Sequence, residues 1–308
     1  MATWQADLHR IVVLPRAQQY AALKELLARR DACPAEEWNA AFGAASLYEA
    51  FTQLPDAQLA YRANRAVVRS ALEARPDWRL VEVGGGNGVL WRDFFHHDER
   101  GQFTLVDPVA ETHEIVAALL PRGVVFHSVL APIEQAALPD ADVVNCSLIL
   151  HHIAGLDADE RRRHGLSGPG KRETLEHIVA ALRPRGGIGI LTEADTYHDL
   201  ALAPGDPLLV ERFMDSYVRR GALMVAEALA HAEADATLRQ RWEVLLRHWF
   251  LDQIDKAFVP LAERDVYELD APRWRQVVRD AGAEMQSSQY VDEWRIMVQY
   301  VFTAGEQA

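Results

Sequence analysis

The spacing of apolar residues divides the chain into helical and sheet-forming parts. Over residues 1–75, apolar positions recur at helical spacing and three prolines interrupt the pattern. This predicts three or four helices, the last from about Asp56 to Ala74. Residues 208–262 again have a helical pattern, and one further helix is predicted within 265–282.

Between the helical parts, short β-branched runs alternate with helical segments, which predicts a parallel sheet with crossover helices. The strands predicted in this stretch are Arg79–Val83, Phe103–Val106, Val124–His127, Asp142–Cys146 and Gly187–Glu193. The helices predicted between them are Leu90–His96, Glu111–Leu120 and Arg172–Leu182. Near the end of the chain, Glu284–Val291 and Trp294–Thr303 predict two antiparallel strands joined by a tight turn at Asp292-Glu293.

The pattern therefore predicts an α/β protein with a mostly parallel sheet of seven strands and an antiparallel last strand. Residues 1–75 are expected to form an N-terminal helical cap and 76–207 the ligand-binding core. Residues 208–262 are expected to be a helical insertion that acts as a cap or lid. Residues 263–308 would add the last helix and the hairpin that completes the core sheet.

The charge of the chain argues against a nucleic-acid substrate. The 308 residues carry a formal net charge of −13, whereas binding to a phosphate backbone needs clustered Lys and Arg. The one basic cluster, Arg161–His164, follows several acidic residues and is better explained as a solvated surface.

The cysteines and the apolar runs indicate the cellular compartment in which the protein is expected. Cys33 and Cys146 give neither a disulfide framework nor a zinc pattern, so a cytoplasmic location is expected. The apolar run Ile11–Leu14 is too short for a signal-peptide core, and no run reaches the length of a membrane span. The sequence leaves open whether the protein forms a homodimer.

A glycine-rich loop directly follows the first predicted strand. Such a loop allows backbone N–H groups to approach a ligand closely. The dinucleotide pattern G-x-G-x-x-G would require glycine at the position of Val89. Instead, the glycines fall at Gly84, Gly86 and Gly88 and are preceded by Glu82. This spacing disfavours an NAD-dependent oxidoreductase.

Asp107 ends the second predicted strand, about twenty residues beyond the glycine loop. An acid at this point suits bidentate hydrogen bonding to ribose hydroxyls. The alternative is a helix N-cap, because Pro108 follows and Glu111 lies near the first helical turn. The glycine loop upstream favours ribose binding.

These features together resemble class I S-adenosylmethionine-dependent methyltransferases, which have a Rossmann-like fold. Glu82-x-Gly84-x-Gly86-x-Gly88 is similar to their first motif, and Asp107 to their ribose-binding acid. The run Ala141–Ile153 resembles their fourth motif in the form found in small-molecule enzymes, and Leu182–Gly187 the turn before their fifth strand. The resemblance covers residues 79–195.

The resemblance implies that S-adenosylmethionine is the cofactor and methyl donor and that a small molecule is the acceptor. Gly84 and Gly86 would lie against the methionine part, Glu82 would hold the loop or the donor's amino group, and Asp107 the ribose. The full set of residues expected around the donor is Glu82, Gly84, Gly85, Gly86, Gly88, Asp107, Pro108, Ser128, Val129, Cys146 and Ser147. The segment His127–Leu130 lacks the acid that the family often places near the adenine, so adenine contacts there stay open.

His151 and His152 follow the fourth predicted strand, beside the expected position of the acceptor. A histidine there can take a proton from an oxygen or nitrogen nucleophile near neutral pH. The alternative is that both histidines shape the loop. Metal binding is not expected, because neither this pair nor His96-His97 has the i, i+4 spacing of metal ligands.

Aromatic residues of the two helical parts are candidates for the wall of the acceptor pocket. They are Tyr48, Tyr61, Phe213, Tyr217, Trp249 and Phe250. The predicted function is methyl transfer to an O, N or C atom of a small molecule, such as a secondary metabolite, and a domain that binds the donor without catalysis is the alternative.

Overall fold

The computed structural model describes residues 3–29, 52, 54–73, 75–153, 169–196, 202–232, 235–255, 258–259 and 268–305. For part of the helical residues within 3–9, 213–217 and 237–253 it describes the backbone only. Tyr48, which the sequence places in the acceptor pocket, lies outside these ranges.

The described residues form a seven-stranded sheet. The strands are β1 (Trp78–Val83), β2 (Gly101–Val106), β3 (Val124–Val129), β4 (Val143–Ser147), β5 (Ile188–Ala194), β6 (Ala283–Tyr290) and β7 (Met297–Ala304). Their order is β3-β2-β1-β4-β5-β7-β6. Strands β1 to β5 pair in parallel, whereas β7 is antiparallel to both of its neighbours. This is the Rossmann-like methyltransferase fold that the sequence predicts, and the first five strands lie within two residues of their predicted bounds.

Helices cover both faces of the sheet and form a further layer. The described helices are α1 (Thr3–Val12), α2 (Arg16–Ala28), α3 (Pro55–Glu73), α4 (Ala110–Leu119), α5 (Pro169–Leu182), α6 (Pro207–Phe213), α7 (Gly221–His231), α8 (Ala236–Asp255) and α9 (Ala271–Asp280). A π-helical segment, Met214–Arg220, joins α6 to α7. Short 3-10 turns occur at Ile133–Gln135, Leu150–His152 and Arg183–Arg185.

Within the described ranges, three apolar clusters hold these layers together. Leu80 and Phe103 pack against α3 and α4 on one face of the sheet, whereas Val81 and Val144 pack against α5 and α9 on the other. This follows from the alternation of side chains along a strand that is covered on both sides. The third cluster joins α1, α2 and the start of α3 to α6, the π-helical segment, α7 and α8. The N-terminal helices and the insertion therefore share one apolar core.

The predicted helix Leu90–His96 is wrong. Residues 86–98 form successive turns instead. Gly88 has a φ of +69° and Asp93 a φ of +57°, and both values break a right-handed helix. Trp91 is fully buried and makes edge or stacking contacts with Phe94, Phe95 and Phe103. Packing of these rings on the sheet replaces helical hydrogen bonding.

The predicted tight turn at Asp292-Glu293 is also wrong, because β7 begins only at Met297. The Asp292 carboxylate accepts the backbone N–H groups of Ile296 and Met297 at 2.9–3.1 Å. Trp294 packs into the cluster formed by the N-terminal helices and the insertion. A six-residue connection therefore replaces the two-residue turn, since it carries a tryptophan into that cluster. The last predicted helix, within 265–282, is found at Ala271–Asp280.

Candidate functional site

The candidate site lies where β1 and β4 end. The chain runs outward from β1 to β2 and β3 on one side and from β4 to β5 on the other. In open parallel sheets, the reversal of strand order leaves a crevice at the carboxyl ends of the two central strands. The glycine loop after β1 and the histidine turn after β4 meet at this crevice.

The glycine loop is held against the end of β2. The Gly84 N–H donates to the Val106 carbonyl at 2.9 Å, and the Gly85 N–H donates to Asp107 Oδ2 at 2.9 Å. Gly84 has a φ of +77°, and a Cβ placed on it would overlap the Ile149 side chain from the loop after β4. Glycine at this position is therefore required both by the backbone conformation and by close packing across the crevice.

Asp107 is buried and uses both carboxylate oxygens. Oδ1 accepts the Val109 N–H at 2.8 Å, while Oδ2 accepts that of Gly85. The alternative role of helix N-cap is not observed, because Val109 occupies that position in α4 and makes no side-chain cap. A carboxylate offers about four acceptor sites. Asp107 thus fixes the loop and has acceptor capacity beyond these two bonds. Pro108, between these residues, is exposed.

His113 joins the ends of β2 and β3, a contact that the sequence reasoning missed. Its Nε2 lies 2.9 Å from the Asp107 carbonyl and its Nδ1 lies 2.8 Å from Ser128 Oγ. Since a carbonyl only accepts, Nε2–H donates, and in the neutral ring Nδ1 accepts the Ser128 hydroxyl. Ser128 and Val129 are the last two residues of β3, and the Ser128 hydroxyl is held by His113. A histidine one turn into α4 carries no sequence signal that marks it for this role.

Glu82 is buried beneath the loop, paired with a side chain from β4. Asn145 Nδ2 donates to Glu82 Oε2 at 2.7 Å. Burial raises the pKa of Glu82 well above its usual range, while the hydrogen bond from Asn145 opposes that shift. Asn145 Oδ1 is buried without a hydrogen-bond partner within the described residues. Glu82 therefore ties β1 to β4 beneath the loop, and its two predicted roles, in holding the loop or the donor's amino group, stay predictions.

The two residues that end β4 point to opposite faces of the sheet. The Cys146 thiol is buried in the cluster on the α5 face, where burial raises its pKa well above the usual range. Its side chain is therefore part of an apolar core. Ser147 lies on the other face, where its hydroxyl accepts from Asn64 Nδ2 of α3 at 2.8 Å.

His151 is paired with Glu193, a residue that the sequence reasoning did not single out. His151 Nδ1 lies 2.8 Å from Glu193 Oε2, and Glu193 is fully buried at the end of β5. Glu193 Oε1 accepts the backbone N–H groups of Ile149 and Leu150 at 3.1 and 2.7 Å. One carboxylate therefore fixes both the histidine turn and the His151 ring. A lone acid ending a predicted strand gave no signal, because its partner lies 42 residues earlier.

His152 has a different environment from His151. Its side chain is exposed, and its ring centroid lies 4.2 Å from that of His151. The structure thus separates two adjacent histidines that the sequence treats alike. Among the described residues, no three His, Cys, Asp or Glu side chains converge as metal ligands.

Of the predicted pocket residues, Tyr61 is described. It is half-buried and packs against both the third apolar cluster and the cluster on the α3 face of the sheet. The side chains of Phe213, Tyr217, Trp249 and Phe250 lie outside the described part of the structure, so their contacts stay predictions. None of the described helices is long and apolar enough to cross a membrane.

The fold has counterparts among solved structures, whereas family models give none. No family model matches the chain. No curated protein matches it either. Solved structures with similar folds include an O-methyltransferase from Nostoc punctiforme PCC 73102, with 12% identity, a TM-score of 0.43, and coverage of 78% of this chain and 55% of that one. This chain therefore spans about half the length of the Nostoc protein.

Two further structures are similar at the same level. The N-methyltransferase NodS from Bradyrhizobium japonicum WM9 has 11% identity and a TM-score of 0.45, with coverage of 82% of this chain and 100% of NodS. Human N-acetylserotonin methyltransferase, solved with S-adenosylmethionine, has 16% identity and a TM-score of 0.43, with coverage of 98% of this chain and 66% of the human protein.

Proposed function

We propose that this protein is an S-adenosylmethionine-dependent methyltransferase that acts on a small molecule. The observation that carries the proposal is the crevice at the ends of β1 and β4, where the strand order reverses. On one side, Asp107 and the glycine loop are locked together. On the other, His151 is locked to Glu193. A nucleoside-binding element opposite a proton acceptor would suit methyl transfer to an O–H group or to a protonated amine.

The chemistry of the crevice fits the donor. Asp107 has acceptor capacity for two ribose hydroxyls, and the positive φ of Gly84 allows close approach of the backbone. Asn145 Oδ1, which has no partner in the described residues, would accept from the ammonium group of the methionine part. When bound, S-adenosylmethionine supplies a methyl group already activated by a sulfonium. The protein must therefore bind and orient the acceptor, and deprotonate it where the acceptor is a phenol or a protonated amine.

His151 is the proposed base. If Nδ1–H donates to Glu193, the basic lone pair of the neutral ring lies on Nε2. The acceptor's O–H or N–H proton would pass to Nε2, and the Glu193 carboxylate would stabilise the imidazolium that results. Glu193 also holds the turn that carries His151, so the ring keeps its orientation. The cap formed by α1, α2 and the insertion would enclose the acceptor.

Ligand binding and turnover test this proposal together. We expect S-adenosylmethionine and S-adenosylhomocysteine to bind with micromolar affinity in calorimetry, at about −8 kcal/mol, and NAD not to bind. We expect transfer of a radiolabelled methyl group to at least one member of a panel of small phenols and amines. Binding without transfer to any of them would favour the non-catalytic donor-binding domain. Binding of NAD alone would overturn both the enzyme and the donor-binding domain.

A further inference from the structure

Arg65 of α3 contacts the segment that follows the glycine loop. Its guanidinium donates to three backbone carbonyls: Nε to Leu90 at 2.7 Å, and Nη2 to Val89 at 2.7 Å and to Arg92 at 2.9 Å. A planar guanidinium with five N–H donors suits such a cluster of acceptors. The contact therefore ties α3 to the loop over four consecutive residues.

These carbonyls accept from Arg65 because the segment is not a helix. In an α-helix the carbonyls of Val89 and Leu90 would accept the N–H groups four residues later. Here the backbone bonds of the turn run to the carbonyls of Gly88 and Trp91 instead. The bonds to Val89 and Leu90 are partly buried, and a carbonyl that is shielded from water and lacks its helical partner needs another donor. The Arg65 side chain supplies it, so a residue distant in sequence specifies the conformation after the glycine loop.

The preceding residue, Asn64, fixes the position from which Arg65 reaches the loop. Asn64 is fully buried; Nδ2 donates to Ser147 Oγ, and Oδ1 accepts from Thr192 Oγ1 at 3.0 Å and Gln299 Nε2 at 2.6 Å. These partners lie on β4, β5 and β7. One turn of α3 thus holds the strand ends on one side of the crevice and the glycine-loop segment on the other.

We propose that Arg65 is a positioning residue for donor binding, which acts through the turn after the glycine loop without touching the donor. The proposal rests on the proposed function. Its physical basis is pre-organisation: a loop already held in its binding conformation loses less entropy when the donor binds. Loss of the three carbonyl bonds should therefore weaken donor affinity more than it slows the methyl transfer step.

The test compares Arg65→Met, Arg65→Lys and Arg62→Met. Arg62 is exposed on the same helix and serves as the matched control. We expect Arg65→Met to weaken S-adenosylhomocysteine binding at least tenfold, with kcat at saturating donor within threefold of the unmodified protein. Arg65→Lys should give an intermediate loss, because one ammonium cannot span the three carbonyls that the fork reaches. Arg62→Met should leave affinity unchanged.

Hydrogen exchange of the unliganded protein supplies a readout that does not depend on activity. The amides of Trp91, Arg92 and Phe94 are hydrogen-bonded within the turn and report its order. In Arg65→Met they should lose protection while amides of β1 and β4 keep theirs. Equal affinity and equal protection in the Arg65 and Arg62 variants would overturn the proposal. Loss of protection in the sheet as well would also overturn it, because that marks a general loss of stability.

The exchange measurement also separates this inference from the proposed function. If the unmodified protein binds no donor, the proposed function fails. Hydrogen exchange alone then decides whether Arg65 orders the turn. The claim that Arg65 affects donor affinity fails together with the proposed function. If donor binds and only the Arg65 effect is absent, the inference fails by itself.

Discussion

Asp107 joins the second strand to the glycine loop, because its Oδ2 accepts the Gly85 N–H at 2.9 Å. The same carboxylate accepts the Val109 N–H, so it orders two turns at once. If it also binds the ribose, Asp107→Ala removes a ligand contact and two supports of the loop. We expect S-adenosylhomocysteine affinity to fall at least tenfold, about 1.4 kcal/mol, measured by calorimetry.

Glu111→Gln is the control for this experiment. Glu111 is exposed in the first turn of α4. The substitution therefore removes a negative charge near Asp107 and leaves the contacts of the loop in place. Its affinity should equal that of the unmodified protein. Donor binding that survives in Asp107→Ala would remove the ribose assignment and leave Asp107 as a loop-ordering residue.

His151 and Glu193 should affect turnover rather than donor binding. We expect His151→Gln to lower kcat by roughly 10²–10⁴ with donor affinity intact, and to abolish the acidic limb of the pH–rate profile. Glu193→Gln should lower kcat less, because the base remains but its orientation and the stabilisation of its charged form are weakened. His152→Gln, at the exposed neighbour, should have the smallest effect of the three. Steady-state kinetics over pH 5–9 distinguishes these cases.

The exposed His177 on α5 provides the control for removal of a histidine elsewhere. His177→Gln should keep the full pH–rate profile. If His151→Gln and His152→Gln both turn over at near-normal rates, the acceptor needs no base, as with a neutral amine. If donor affinity falls together with kcat, the histidines shape the loop.

The sequence was informative about the sheet because strand periodicity is local. The strands from β1 to β5 and the glycine loop between β1 and β2 were predicted with bounds close to those observed. The segment after the loop was not, since a helical apolar pattern there is overridden by burial of Trp91 and by donors from Arg65. Nothing near residue 90 indicates that an arginine 24 residues earlier satisfies its carbonyls.

The same limit applies to the candidate site. The glycine spacing and Asp107 form a local pattern, so they were found. Glu193 and His113 were missed because their roles depend on partners brought together by the fold, across 42 residues for His151 and Glu193. Isolated acids and histidines carry no signal by type alone. Tertiary contacts of this kind become visible only when the strand order is known.

The proposed helical cap gives a separate prediction. Because α1 and α2 share one apolar cluster with α6 to α8, they should respond to ligands as a unit. Hydrogen exchange should show both groups of helices gaining protection when donor and acceptor bind together. A tenfold change in exchange rate corresponds to about 1.4 kcal/mol of local stabilisation. Protection confined to the sheet would argue against a cap that encloses the acceptor.

Lys171 makes a prediction about stability and pH that does not depend on ligands. Its side chain is fully buried on α5, and Nζ donates to the Ile153 carbonyl at 2.8 Å, at the end of the histidine turn. Burial lowers the pKa of Lys171 from 10.5 to about 7, against the attraction of Glu193, Glu268 and Glu134. Between these two pH values the unfolded chain holds a proton that the folded protein has released.

The free energy of unfolding should therefore rise with pH relative to a variant that lacks this amine. The cost of burying the charge is full below pH 7 and is relieved as pH rises toward 10.5. For one proton the maximum slope is about 1.4 kcal/mol per pH unit.

Urea denaturation at pH 7, 8 and 9 should show the unmodified protein gaining stability relative to Lys171→Met at close to this slope. Lys24→Met, at an exposed lysine of α2, is the control, and its free energy of unfolding should change with pH in parallel with that of the unmodified protein. Parallel curves for Lys171→Met as well would show that the buried amine keeps its ordinary pKa.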